Sequence, residues 1–229
     1  MISRLLAWFG DPANWQGLDG IPNRLLEHIG YSLVALVVAL VIAVPVGLWI
    51  GHTGRGGVVV AGLANGFRAL PTFGLLIAAV IVLSGVFRGK TDLGYVLPTL
   101  LVLVILGVPP ILAGTYAGVH GVDRAARDAA YGMGMTGRQV LLRVEAPCAL
   151  PLIMSGVRSA MLQIVSTATF AAYVSLGGLG RFIFDGQASN RFEVMLGGSL
   201  LVAALAIVAE LALAALQRVI VSPGLIHRR

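Results

Sequence analysis

Hydropathy along the chain alternates between long apolar runs and short polar segments. The first run, "YSLVALVVALVIAVPVGLWI", covers about 31–50; its 20 residues, at a rise of about 1.5 Å each, span about one bilayer hydrocarbon core. Further apolar runs cover about 58–85, 95–119, 150–174 and 194–221. The pattern predicts an all-α polytopic membrane protein with five spans in a transmembrane domain of residues 31–229. Residues 1–30 are expected to lie at the membrane interface, where Trp8, Phe9 and Trp15 suit the headgroup level. Asp11, Pro12 and Asn14 interrupt the apolar run that a signal peptide needs.

Polar and helix-breaking residues inside the runs mark breaks. Pro45 is expected to kink the first span. Arg68 and Pro71, in "FRALPTFG", break or kink the second, and Pro109-Pro110 interrupt the third in the same way. Non-helical backbone at membrane depth is tolerated where it lines a cavity. Arg68, Pro71, Pro109 and Pro110 are therefore pathway or gate candidates, with helix-packing strain as the alternative. "GHTGRGG" (51–57) is read as a turn, 86–94 as a polar loop and 175–193 as a Gly-rich loop.

Composition narrows the class. The chain is 58% hydrophobic and 11% charged, far below the roughly 25% charged residues of soluble domains. The net charge of +6 comes from scattered residues without interleaved aromatics, so no nucleic-acid partner is expected. Cys148 is alone, which excludes an intrachain disulfide and a cysteine metal cluster, and it is read as a small packing residue. His28, His52, His120 and His227 lack metal-ligand spacing.

The segment between the third and fourth apolar runs, hairpin 121–149, carries the most local information. Asp123 can N-cap a helix over 124–133, with its carboxylate at the positive helix end. Gly132 and Gly134 permit a bend. Thr136 with Gln139 three residues later forms a capping box for a second short helix. Pro147 and Pro151 are expected to punctuate its end. These caps predict a rigid helix–turn–helix at the membrane face, which fits either a docking knob or an ordinary interhelical loop.

Within it, Asp128-Ala129-Ala130, Gly134, Pro147 and Pro151 resemble the EAA motif of ABC-importer permeases, with Asp128 one methylene shorter than the family's Glu. "FRALPTFGLL", "LGVPPILAGTYAGV", "AAYGMGMTGRQVLLRVEAPCALPLIMSGVRSA" and "TATFAAYVSLGGLGRFIF" extend the resemblance over about 20–220. Together they resemble the osmoprotectant permeases of the ProW, ProZ and OpuB type, which import glycine betaine, carnitine, choline or proline. The resemblance implies the type I ABC-importer (methionine-importer-like) permease fold in a bacterial cytoplasmic membrane. It implies coupling to a cytoplasmic ATPase through Asp128, Ala129, Ala130, Gly134, Thr136, Pro147 and Pro151. Further implied partners are a second permease subunit, identical or a sister chain, and an extracytoplasmic binding protein.

Five spans place the termini on opposite sides. With the hairpin cytoplasmic, that side holds Arg55, Arg124, Arg127, Arg138, Arg143, Arg218, Arg228 and Arg229. The other holds Arg4, Arg24, Arg88, Lys90, Arg181 and Arg191, an eight-to-six bias that agrees with N-terminus outside and C-terminus inside.

Two further ionisable residues lie within spans, Arg158 and Glu210. Each sits about 12–14 Å from the same membrane face at 1.5 Å per residue, so they either pair or snorkel separately. Phe67, Phe73, Tyr116, Phe170 and Tyr173 offer faces for a quaternary ammonium, or pack against helices and lipid; Tyr116 and Tyr173 join the pathway candidates. No P-loop ending in Lys-Ser/Thr is present, and "GGLG" (177–180) lacks its context. The chain is expected to be a transport subunit without enzymatic activity or cofactor, with ATP bound by the partner ATPase. A permease for another solute such as methionine, or a passive channel, are the alternatives.

Overall fold

The computed structural model describes residues 1–66, 71–84 and 93–222. Every regular element among them is a helix: α1 Ile2–Gly10, α2 Ile21–Thr53, α3 Gly57–Gly66, α4 Thr72–Ser84, α5 Leu93–His120, α6 Arg124–Gly132, α7 Gly137–Val140, α8 Ala146–Ala168, α9 Gly180–Ala188 and α10 Phe192–Ile220. A π-turn, Leu141–Glu145, joins α7 to α8, and a 3₁₀ segment, Thr169–Val174, continues beyond α8. Among the described residues, four helical runs are long and apolar enough to cross a membrane: α2, α5, Gly137–Val174 and α10. The region expected as the span 58–85 holds two shorter helices, α3 and α4. Arg68 and Phe67 lie outside the described residues, as do 85–92 and 223–229. Pro71 stands just before α4, where its carbonyl accepts from Leu75 N at 2.9 Å; lacking an N–H, proline suits a helix start.

Several elements depart from the hydropathy reading. Helix α2 begins at Ile21 rather than near 31, because Arg24, Glu27 and His28 find polar partners that a hydropathy window does not see. Pro109 and Pro110 do not interrupt α5, which is helical from Leu93 to His120; Pro45, where a kink is expected, lies inside continuous α2. Prolines are tolerated in such helices where neighbours support the freed backbone groups. Pro147 and Pro151 lie within α8 and do not end the preceding helix. The π-turn just before Pro147 re-pairs the ladder there, since Ala146 N–H donates to the carbonyl of Leu141, five residues back. The segment 175–193 is not wholly loop, for it contains α9. Cys148 is exposed on α8 rather than packed inside; a thiol behaves as a small apolar group and is compatible with a lipid-facing surface.

Contacts divide the chain into two units. The first comprises 1–36, 71–104 and 162–209. In it Trp8 is buried with Ile21 and Val194, and meets Phe182 edge-on at 5.4 Å between centroids. His28 is fully buried. Leu179 N–H donates to its Nδ1 at 3.3 Å, so Nε2 carries the proton and donates to the Val165 carbonyl at 3.0 Å. Beside it, Glu27 Oε2 accepts from Gly178 N–H at 2.7 Å and from Arg24 at 2.9 Å. These two side chains hold the Gly-rich turn before α9 against the start of α2.

The second unit comprises 37–70, 105–161 and 210–229. Its helices approach closely through small residues. A Cβ on Gly47 or Gly51 would lie 2.6 Å from Thr115 or Val119 of α5. A Cβ on Gly114 or Gly156 would lie 2.6 Å from a backbone carbonyl of the opposing helix, α8 or α5. Along α2 the buried positions Ala35, Ala39, Ala43, Gly47 and Gly51 recur every four residues, whereas Val34, Val37, Val38, Val41 and Ile42 are exposed. Lipid is as apolar as valine, so helix association relies on close backbone packing along a small-residue face.

Candidate coupling hairpin and membrane site

Local chemistry builds the hairpin between α5 and α8. Asp123 caps α6, its carboxylate accepting from Ala125 N–H at 2.9 Å. At the other end Gly134 adopts φ +82°. Gly134 N–H donates to the Tyr131 carbonyl at 2.9 Å and Met135 N–H to the Ala130 carbonyl at 3.1 Å, the paired bonds of a Schellman stop. A left-handed residue is required there and glycine meets it without a Cβ penalty. Thr136 then starts α7 with both halves of a capping box: its hydroxyl accepts from Gln139 N–H at 3.4 Å, and Gln139 Oε1 accepts from Thr136 N–H at 2.8 Å. The caps and the turn of the hairpin are thus set by groups within its own sequence.

Asp128 and Ala129 are exposed on α6, together with Tyr131 and Met133, whereas Ala130 is buried. The outer face thus carries both charges, with Arg124 one turn before Asp128, beside apolar groups. The inner face is tied down by charge. Glu145 is only 1% exposed. Its Oε2 lies 2.6 Å from His52 Nδ1, near the end of α2, and its Oε1 lies 2.9 Å from Arg127 Nε on α6. Arg127 also donates through Nη2 to the carbonyl of Val119 on α5. Glu145 is thus an internal anchor of the hairpin and is not part of its exposed face. These contacts have no local sequence signal, since His52 and Glu145 are 93 residues apart.

Arg158 on α8 and Glu210 on α10 are brought together. Arg158 Nε donates to Glu210 Oε1 at 2.8 Å, Nη2 donates to the same oxygen, and Nη1 donates to Gln217 Oε1 at 3.1 Å. Gln217, two turns beyond Glu210, was not singled out by the sequence.

Among the aromatic candidates, Phe73, Phe170 and Tyr173 form one cluster within the first unit, completed by Phe184 of α9. Phe73 lies 4.8 Å from Tyr173 and 5.3 Å from Phe170, and Tyr173 lies 5.6 Å from Phe184, between ring centroids. Tyr173 keeps 54% of its surface exposed and Phe73 37%. Tyr116 is not a member; it belongs to the second unit and stacks on His120 at 5.3 Å. Pro109 and Pro110 lie in continuous helix, with the Pro110 carbonyl facing Gly156. Pro71 is exposed before α4.

Long apolar helices linked by a capped hairpin define a multi-pass helical membrane protein, and solved structures share its fold. The chain matches the inward-facing MetNI methionine ABC transporter with a TM-score of 0.74 and 20% identity, over 93% of this chain and 99% of the other. The fold is that of a type I ABC-importer permease. Residues 23–223 match the binding-protein-dependent transport system inner membrane component family, and the chain belongs to that family. It is 36% identical over 199 residues, 87% of this chain and 88% of the other, to the glycine betaine/carnitine/choline transport system permease protein OpuCB of Bacillus subtilis (strain 168). It is 35% identical over 202 residues, 88% and 89% of the two chains, to the choline transport system permease protein OpuBB of the same organism.

Proposed function

We propose that this chain is the membrane permease subunit of an ATP-driven importer of compatible solutes such as glycine betaine, carnitine, choline or proline. The observation that carries this reading is 36% identity across nearly the whole length of a permease named for glycine betaine, carnitine and choline. The cluster of Phe73, Phe170, Tyr173 and Phe184, in which Phe73 and Tyr173 are exposed, supports it chemically, because a trimethylammonium group is attracted to aromatic faces. The methionine named for the structural neighbour is a property of that protein, and at 20% identity the likeness speaks for fold alone.

In this reading the hairpin faces the cytoplasm, with the N-terminus outside and the C-terminus inside. Two ATPase subunits bind ATP and grip the exposed α6 faces, centred on Asp128 and Ala129, of two permease chains. Gly134 and Thr136 set the shape of the docking element, while Pro147 and Pro151 lie in the helix that carries it into the membrane. Closure of the ATPase pair displaces the hairpins and rocks the helices between outward- and inward-facing states. A binding protein delivers solute at the outer face, against the segments 84–94 and 175–193. Arg68, Pro71, Pro109, Pro110, Tyr116 and Tyr173 remain pathway or gate candidates, and Arg158 with Glu210 stabilises the moving bundle. Uptake of labelled glycine betaine by cells that depend on this chain tests the reading: loss of uptake in its absence supports it, and unchanged uptake contradicts it.

A further inference from the structure

The buried carboxylate of Glu145 is the point where three separate helical elements meet. It stands in the π-turn leading into α8. His52 reaches it from α2 at 2.6 Å and Arg127 from α6 at 2.9 Å. Arg127 in turn donates to the Val119 carbonyl on α5. His52 also backs the start of α7, since a Cβ on Gly137 would lie 3.4 Å from its Nε2. Below this point, α2, α5 and α8 are locked by close backbone packing at Gly47, Gly51, Gly114 and Gly156. A carboxylate at this depth is retained only with its partners in place, because leaving either charge unpaired is strongly unfavourable. A hairpin held solely by its loops could tilt without moving the helices; one clamped by a buried charge network carries them with it.

We infer that Glu145 is a positioning residue for transport: the His52–Glu145–Arg127 network is a rigid joint that converts displacement of the hairpin into displacement of α2, α5 and α8 as one body. The inference rests on the reading of the hairpin as the ATPase-coupling element. It assigns to Glu145 the tightness of coupling, meaning solute moved per ATP hydrolysed. A stiff joint passes the whole stroke to the helices, whereas a slack joint lets the ATPase cycle while the helices lag.

The test uses the assembled importer in proteoliposomes. Spin labels are placed at Arg124→Cys on the hairpin and Trp49→Cys on α2, both exposed, in a Cys148→Ser background. The label-to-label distance is measured by pulsed electron resonance, without nucleotide and with vanadate-trapped ATP. With Glu145 intact, one narrow distance is expected, unchanged by trapping. In Glu145→Gln, and independently in His52→Ala, the distribution is expected to broaden or shift on trapping. Glycine betaine uptake per ATP is expected to fall about tenfold at equal ATPase-subunit content. The joint is refuted if the intact protein's distance changes on trapping, or if both variants keep the narrow, unchanged distance. A broadened distance with normal uptake per ATP refutes the coupling role. If the intact importer carries no glycine betaine but the distances behave as expected, the substrate assignment fails and the joint stands.

Discussion

Arg158 Nε donates to Glu210 Oε1 at 2.8 Å, and Gln217 accepts from the same guanidinium. The pair neutralises two charges on α8 and α10 that would each cost about 2.5–3.5 kcal/mol in apolar surroundings. Glu210→Leu alone strands Arg158 and is expected to lower thermal stability in detergent and reduce the amount inserted. The double variant Arg158→Met, Glu210→Leu should recover most of that loss, because an apolar pair of similar volume replaces the ion pair without an unpaired charge. Thermal unfolding of the two variants beside the parent decides it. Equal stability of parent and single variant would show that the charges are solvated independently.

Gly134 is held at φ +82° with open space around it. Gly134→Ala should therefore cost about 1–2 kcal/mol through backbone strain rather than through a clash. Gly134→Asn should be milder, since asparagine visits the left-handed region readily, and Gly134→Val more severe. Uptake measured at equal membrane content is expected to follow the order Gly, Asn, Ala, Val. Indifference to the β-branched residue would show that the Schellman stop does not set the hairpin's working shape.

Asp128 is exposed beside Ala129, Tyr131 and Met133 on α6. Reversing its charge with Asp128→Arg should leave the fold intact while preventing ATPase docking. Co-purification of the ATPase subunit with the permease is expected to fall at least about tenfold, since unfavourable charge placement in an interface costs several kcal/mol. Full co-purification would move the docking face elsewhere.

Tyr173 is the most open ring of its cluster, with Phe73 at 4.8 Å. Tyr173→Leu removes a face worth about 0.5–2 kcal/mol to a cation. The half-saturating concentration for trimethylammonium solutes should rise by roughly 2- to 30-fold, while Tyr173→Phe stays near the parent. Equal effects of Leu and Phe would assign the role to the hydroxyl rather than to the ring.

The hairpin was legible in the sequence because its determinants are local. Asp123, Thr136 and Gln139 each act within three residues, and Gly134 answers a single backbone requirement. Pro109, Pro110, Pro147 and Pro151 stand in continuous helix, against expectation, for the complementary reason. A proline's cost is local, but whether a helix survives it depends on packing and on devices such as the π-turn before Pro147. The partners of His28 and His52 could not be read, because those contacts join residues 137 and 93 positions apart. The repeat of Ala35, Ala39, Ala43, Gly47 and Gly51 was present in the letters, yet hydropathy hides it by scoring alanine and valine alike as apolar. Arg158 and Glu210 lay between these cases: their similar depth was readable from sequence, while the facing of the two helices required the fold.

Uptake of labelled glycine betaine at high osmolarity into cells lacking this chain tests both the solute class and coupling through the hairpin. The comparison restores the wild type or Gly134→Pro, with membrane insertion verified for both. Only the wild type is expected to restore uptake, and unlabelled choline or carnitine is expected to compete while methionine does not. Restoration by both proteins would contradict coupling through the hairpin, and competition by methionine without competition by the betaine-type solutes would contradict the substrate class.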